Sequence, residues 1–241
     1  MPGGIGRGIA LGLAQAGADI IALDIGNLEE TKTAVEKSGR NCICYHVDLS
    51  DVVAIEKTWD LLLENAGKVD ILFNNAGMQY RKSILEYPIE MLDKILAVNL
   101  KASYIMAQKA GKHFCDRVEK EPGFHGKIVN TASLFSIFGG MEVSGYTCSK
   151  HAVVGMTKAL SNELAQFGIC VNGIAPGYIQ TEMTHAIWGD PEKKREKEKR
   201  IPAGRWGRSE DLAGVAVFLA SSASDYITGT ILPIDGGYSS F

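Results

Sequence analysis

Tyr146 and Lys150 stand four residues apart in "GYTCSKHAVVGMTKAL", so on a helix they share one face, a turn apart. A phenol with an ordinary pKa near ~10 holds its proton too tightly for acid–base work at neutral pH. A neighbouring ammonium favours the phenolate and moves the group toward a useful range. Ser133 closes the apolar run "KIVNTAS" thirteen residues earlier, where its hydroxyl could hold a substrate oxygen beside the phenol. Asn99, in "AVNL", falls inside a long helical pattern, and asparagine is a poor helix former. Each feature is common by itself, and a lone Tyr-x-x-x-Lys decides nothing.

A second group of residues has the chemistry of a nucleotide site. Gly4-Ile5-Gly6, followed by Gly8, opens an apolar helical pattern. A helix N-terminus with free N–H groups, approached closely through glycine, suits a pyrophosphate. Twenty residues after Gly4, an apolar run ends in Asp24, where a dinucleotide fold places the carboxylate that binds the adenosine ribose. After Asp24 no Arg or Lys follows until Lys32, so the spacing predicts NAD in preference to NADP. "VDILFNNAG" ends a strand in Asn74, Asn75, Ala76 and Gly77, and "NGIAPGYIQT" ends another in Pro176-Gly177, with Ile179 and Thr181 just beyond.

These residues need a scaffold that gathers strand ends at one edge. Ala18–Leu23, Asn41–His46, Val69–Phe73, Lys127–Asn130, Cys170–Ile174 and Thr230–Ile234 are short apolar runs that predict buried strands. Helical patterns lie between them at Gly6–Ala16, Asp51–Ala66, Ile89–Val118, Tyr146–Phe167 and Glu210–Ser221. The alternation predicts an α/β, doubly wound parallel sheet covered on both faces, in a single domain over residues 1–241. Residues 178–207 form the longest interruption and are expected to act as a lid or substrate loop. Their run "DPEKKREKEKR" alternates charges, as a solvated helix face does.

Composition excludes several classes. Of 241 residues, 46% are hydrophobic and 22% charged, an ordinary globular mixture. A net charge of -3 argues against nucleic acid. No apolar run is long enough for a membrane span and no leader opens the chain, so a cytoplasmic protein is expected. Five cysteines and five histidines show no metal-ligand spacing, so no catalytic metal is expected.

The ordered set Gly-x-Gly, Asn-Asn-Ala-Gly, Asn, Ser, Tyr-x-x-x-Lys and Pro-Gly, running from Gly4 to Asp235–Gly237, resembles the classical short-chain dehydrogenase/reductase family. The resemblance implies a Rossmann-like fold and hydride transfer between a nicotinamide and a secondary alcohol or ketone. Tyr146 would be the general acid/base. Lys150 would lower its pKa and bond the nicotinamide ribose, Ser133 would position the carbonyl, and Asn99 would hold a relay water. Gly4, Ile5 and Gly6 would contact the pyrophosphate, Asp24 the adenosine ribose, and Asp48 with Leu49 the adenine. Asn75, Gly77, Pro176 and Gly177 would line the cofactor, with Ile179 and Thr181 at the carboxamide. A homotetramer built on the helices Ile89–Val118 and Tyr146–Phe167 is also implied.

"IPAGRWG" and "NNAGMQYRKSILEY" resemble the family's sugar-acid dehydrogenases, of the 2-deoxy-D-gluconate 3-dehydrogenase and gluconate 5-dehydrogenase type. Arg81 is the candidate cation for such a substrate's carboxylate, while Glu142 stands where these relatives often carry a neutral or basic residue. A 3-oxoacyl thioester reductase, a polyol dehydrogenase and a non-catalytic protein of this fold remain open alternatives. The family's first strand, central in the sheet, is not found before Gly4. That points to a shortened chain ahead of a variant with weakened cofactor binding, and in either case to a gap in the sheet.

Overall fold

A computed structural model describes residues 4–240. Apolar runs too short and too β-branched to be helices become parallel strands: β1 (Ile20–Asp24), β2 (Cys42–His46), β3 (Ile71–Asn74), β4 (Lys127–Thr131), β5 (Cys170–Pro176) and β6 (Ile231–Ile234). β5 is buried along its whole length, as a strand covered on both faces must be. The helices are α1 (Ile5–Gln15), α2 (Glu29–Lys37), α3 (Val52–Ala66), α4 (Ile89–Leu96), α5 (Ala102–Val118), α6 (Ser144–Leu164), α7 (His185–Trp188), α8 (Pro191–Glu198) and α9 (Ala213–Ala220). α3 and α5 pack Ile55, Trp59, Leu62, Met106 and Phe114 against Ile128 and Val171 on one face of the sheet. α1 and α9 pack Ile9, Leu13, Leu212, Ala216 and Leu219 against Val129 and Ile174 on the other.

Pairing runs β3-β4-β5-β6 in one sheet and β1-β2 in a second. No ladder joins β1 to β3 among the described residues. Both strands instead line one cavity of about 1170 Å³, which extends from Gly17 and Arg40 to Gly4, Asp24 and Asn75 and on into the catalytic cleft. The break expected in the sheet therefore lies between β1 and β3, whose facing edges have no ladder partners among the described residues.

Two local expectations change. Ile89–Val118 is not one regular helix, because a π turn over Ala97–Lys101 separates α4 from α5. α2 is short and mostly polar, with Val35 its one buried residue, which leaves too little apolar periodicity to read from sequence.

Candidate active site

The closed end of the cavity forms where β3, β4 and β5 stop and α6 begins. Asn74 on β3 donates to Asn130 on β4 (2.9 Å), and Asn130 donates to Thr157 on α6 (2.9 Å). All three are buried, so the bonds tie sheet to helix in a water-poor interior where losing a partner is costly. A side chain on Gly145 would strike the Tyr87 hydroxyl at 2.5 Å, so glycine there lets the start of α6 close against the segment before α4.

That framework holds Ser133, Tyr146 and Lys150 together. Ser133, just past β4, lines the cavity with Tyr146, and its hydroxyl accepts the Phe135 N–H at 3.2 Å. The ring of Phe135 packs edge-on against Tyr146, with centroids 6.2 Å apart. One turn along α6, Lys150 lies with Nζ 5.8 Å from the Tyr146 ring centre and donates to the Thr131 carbonyl at 2.6 Å. Burial pulls the Lys150 pKa down to about 8. Burial also pushes the Tyr146 phenol above its ordinary value, and Ser133 only partly opposes it. The phenol's net shift is thus upward through desolvation, opposite to the lowering by its lysine expected from the four-residue spacing.

Asn99 sits in the π turn, fully buried. Its Oδ1 accepts the Met78 N–H at 2.8 Å, and its Nδ2 donates to the Met78 carbonyl and to Ser149 Oγ, each at 3.0 Å. Both amide donors and one lone pair of the amide oxygen are thus used in pinning the turn after β3 to α6. This also explains the odd asparagine: the turn needs a two-way amide more than it needs helix propensity. Ser149, which sequence reading passed over, bridges this pair by also donating to the Tyr146 carbonyl at 2.7 Å.

At the other end, Gly4 is the N-cap of α1, with no side-chain cap and no acidic residue in the first turn. The free helix N-terminus opens into the cavity, which Gly4, Ile5 and Gly6 line. A Cβ on Gly6 would come within 2.7 Å of the Asn75 amide, so this approach fits a cradle for a pyrophosphate. Gly8 serves packing instead, since a Cβ there would meet the Ser209 carbonyl at 2.5 Å. Leu49, Asn75, Gly77, Pro176, Gly177, Ile179 and Thr181 line the same cavity. Asp48 lies outside that lining and its carboxylate accepts the Ser50 N–H at 2.8 Å.

Aromatic rings cluster around Tyr178, which lines the cavity. Tyr178 packs edge-on against Trp206 (5.2 Å) and Tyr238 (5.3 Å), and Phe138 meets Tyr238 at 6.2 Å. Arg81 also lines the cavity and is exposed, and the Lys82 N–H beside it bonds the Glu142 carbonyl at 2.9 Å. "IPAGRWG" builds the lid's base. Ile201 and Trp206 are buried, Gly207 bridges to Ile179, and Arg205 grips Asp211 through two bonds of 2.7 and 2.9 Å. No helix among the described residues is long and apolar enough to cross a membrane.

Known proteins resemble this chain over nearly its whole length. A family model described as enoyl-(acyl carrier protein) reductase matches residues 2–239. The chain is 48% identical to the 2-dehydro-3-deoxy-D-gluconate 5-dehydrogenase of Bacillus subtilis over 98% of its own length and 90% of that protein's. It superposes on a gluconate 5-dehydrogenase from Burkholderia cenocepacia in complex with NADP and tartrate (TM-score 0.91, 35% identity, 99% and 92% of the two chains). A protein from Agrobacterium tumefaciens, assigned as a 2-deoxy-D-gluconate 3-dehydrogenase, has bound NADP and matches equally well (TM-score 0.91, 42% identity, 99% and 93%).

Those cofactors correct the expected preference for NAD. The preference rested on Asp24 as a free acid, but its carboxylate accepts the Gly26 N–H at 2.7 Å and belongs to its own exposed turn. A cation is present, but it precedes Asp24 in the chain instead of following it. Arg7 in the first turn of α1 lines the same cavity, paired with Glu30 of α2 at 2.5 Å. With this cleft and a full-length match to dehydrogenases and reductases, the chain belongs to the short-chain dehydrogenase/reductase family and is an oxidoreductase acting on CH–OH groups.

Proposed function

We propose that the protein interconverts a secondary alcohol and a ketone on a six-carbon sugar acid with NADP, in the manner of 2-dehydro-3-deoxy-D-gluconate and gluconate 5-dehydrogenases. The observation that carries this reading is the single cavity whose lining brings buried Ser133, Tyr146 and Lys150 together with exposed Arg81. Residues 1–241 act as one catalytic domain, with 178–207 as its lid.

Gly4, Ile5 and Gly6 would hold the pyrophosphate, with Asn75, Gly77, Pro176, Gly177, Ile179 and Thr181 along the rest of the cofactor. The nicotinamide, when bound, supplies or accepts the hydride. Ser133 holds the reacting oxygen, and Tyr146 passes the proton to or from it. Lys150, fixed on the Thr131 carbonyl, keeps positive charge beside the phenol and favours its deprotonated form. Asn99 positions α6 against the turn after β3. A homotetramer belongs to the same reading, supported by exposed apolar side chains such as Tyr104, Phe218 and Tyr226, and sedimentation measures it directly.

The test is a panel of 2-dehydro-3-deoxy-D-gluconate, 5-keto-D-gluconate, simple polyols and a 3-oxoacyl thioester, each with NADP or NAD. Turnover of an acid with NADP is expected. Activity confined to polyols or to the thioester, or no binding of either cofactor, overturns the proposal.

A further inference from the structure

One polar group at the closed end of the cavity serves neither the fold nor the proton transfer. Thr131 is the last residue of β4 and only 7% exposed, and its Oγ1 has no hydrogen-bond partner among the described residues. A buried hydroxyl without a partner carries a desolvation penalty that a methyl in its place would not. Tyr87 and Thr147 also carry unpartnered buried hydroxyls, but neither residue lines the cavity, whereas Thr131 does.

Strand geometry sets where this hydroxyl points. Successive side chains along β4 alternate between the two faces of the sheet. Asn130 bonds Thr157 of α6, so its neighbour Thr131 faces the other way. Val129, two residues back, and Ile174, the partner of Thr131 on β5, both pack with Ile9 and Leu13 of α1. Thr131 therefore faces the side of the sheet on which α1 lies, and α1 carries the glycine cradle at its N-terminus. Its carbonyl also holds Lys150 Nζ at 2.6 Å, and a Cβ on Gly77 would stand 3.5 Å from the same Nζ. A dinucleotide with its pyrophosphate at Gly4, Ile5 and Gly6 must bring its nicotinamide to Tyr146 and leave its adenosine toward Asp24 and Leu49. Thr131, on the α1 face and joined to Lys150, lies along the nicotinamide half of that path.

We propose that the Thr131 hydroxyl is a cofactor-binding group, which gains its missing hydrogen bond from the ribose or the carboxamide of the nicotinamide half. The proposal rests on the cofactor reading above and adds a side chain that ties the reactive end of the dinucleotide to the strand that holds Lys150. The same hydroxyl then weakens the free protein and strengthens the complex.

The variants are Thr131→Val and Thr131→Ser, and both keep the carbonyl that holds Lys150. They are titrated calorimetrically with NADP and with 2′,5′-ADP, which has the adenosine half alone, and are melted without nucleotide. Thr131→Val should weaken NADP binding by about fivefold or more and leave 2′,5′-ADP binding unchanged. Its melting temperature without nucleotide should equal or exceed the wild type's, because an unpaired polar group gives way to an apolar one. Thr131→Ser should bind NADP nearly as the wild type does, although its lost methyl lowers the melting temperature. Unchanged NADP affinity in Thr131→Val, or equal losses for NADP and 2′,5′-ADP, overturns the proposal. A lower melting temperature for Thr131→Val overturns it too, since the hydroxyl would then have a partner within the free protein. If the wild type binds NAD in place of NADP, it is the cofactor reading that fails, and NAD against ADP decides the role of Thr131 by the same comparison. Binding of neither dinucleotide overturns both.

Discussion

Lys150 carries its ammonium into a buried position where it bonds the Thr131 carbonyl at 2.6 Å. Burial lowers its pKa from 10.5 to about 8, which at ~1.36 kcal/mol per decade makes the buried charge cost on the order of 3 kcal/mol. Between these two values the unfolded chain binds more protons than the folded one, so stability rises with pH across the window. The gain is complete above the unfolded value and is lost as pH falls through the folded one. Lys150→Met keeps the apolar stem and removes the charge, but leaves the Thr131 carbonyl without its donor at a cost of about 1–2 kcal/mol. The variant should therefore be more stable than the wild type by about 1–2 kcal/mol at pH 7. That advantage should shrink by about 2–3 kcal/mol by pH 10, where the wild type becomes the more stable protein. Urea denaturation at pH 7, 8.5 and 10 reads the difference, provided the m-values match. Activity should fall by about a hundredfold or more over the same variant. A variant less stable than wild type at pH 7, or a difference that does not change with pH, would refute the reasoning.

Three further outcomes are expected. Tyr146→Phe should cut kcat by about 10²–10⁴-fold, as loss of a general acid/base does, while shifting unfolding free energy by no more than about 1 kcal/mol; steady-state kinetics with paired denaturation curves separate the two. Asp225→Asn leaves Lys127, 3% exposed, without the carboxylate it bonds at 2.6 Å and should destabilise by about 3–5 kcal/mol. Lys127→Met leaves only the more exposed Asp225 alone and should cost less than half as much, so equal melting losses would contradict this account. Gly8→Ala drives a Cβ into the Ser209 carbonyl and should destabilise by about 1–3 kcal/mol, whereas Gly4→Ala meets nothing within 4 Å and should change stability by less than about 1 kcal/mol.

Strand positions were legible because strands buried on both faces must be continuously apolar, and all six predicted runs overlap β1 to β6 within about two residues. Ser133, Tyr146 and Lys150 were legible for a related reason: a strand end and one helix face leave few ways to place them. Asn99 was noticed as a misfit, but its bonds to Met78 and Ser149 depend on segments far apart in the chain. The cofactor preference failed where a local rule met tertiary context. Asp24 is committed to its own turn, and the nearby cation, Arg7, precedes it in the chain rather than following it.

The sequence by itself determined the alternation of elements, the family and the trio at the closed end, since those follow from periodicity and short-range spacing. Only the tertiary structure decided how the charges behave and which rings cluster beside the cavity. Desolvation of Tyr146 and Lys150 depends on what is packed around them. The stacking of Arg200 and Tyr178 on Tyr238 joins three separate segments, and no spacing along a chain encodes which distant segments will meet. The separation of β1 from β3 is likewise tertiary: the two strands do not pair among the described residues, and both line the cavity beside the cofactor cradle.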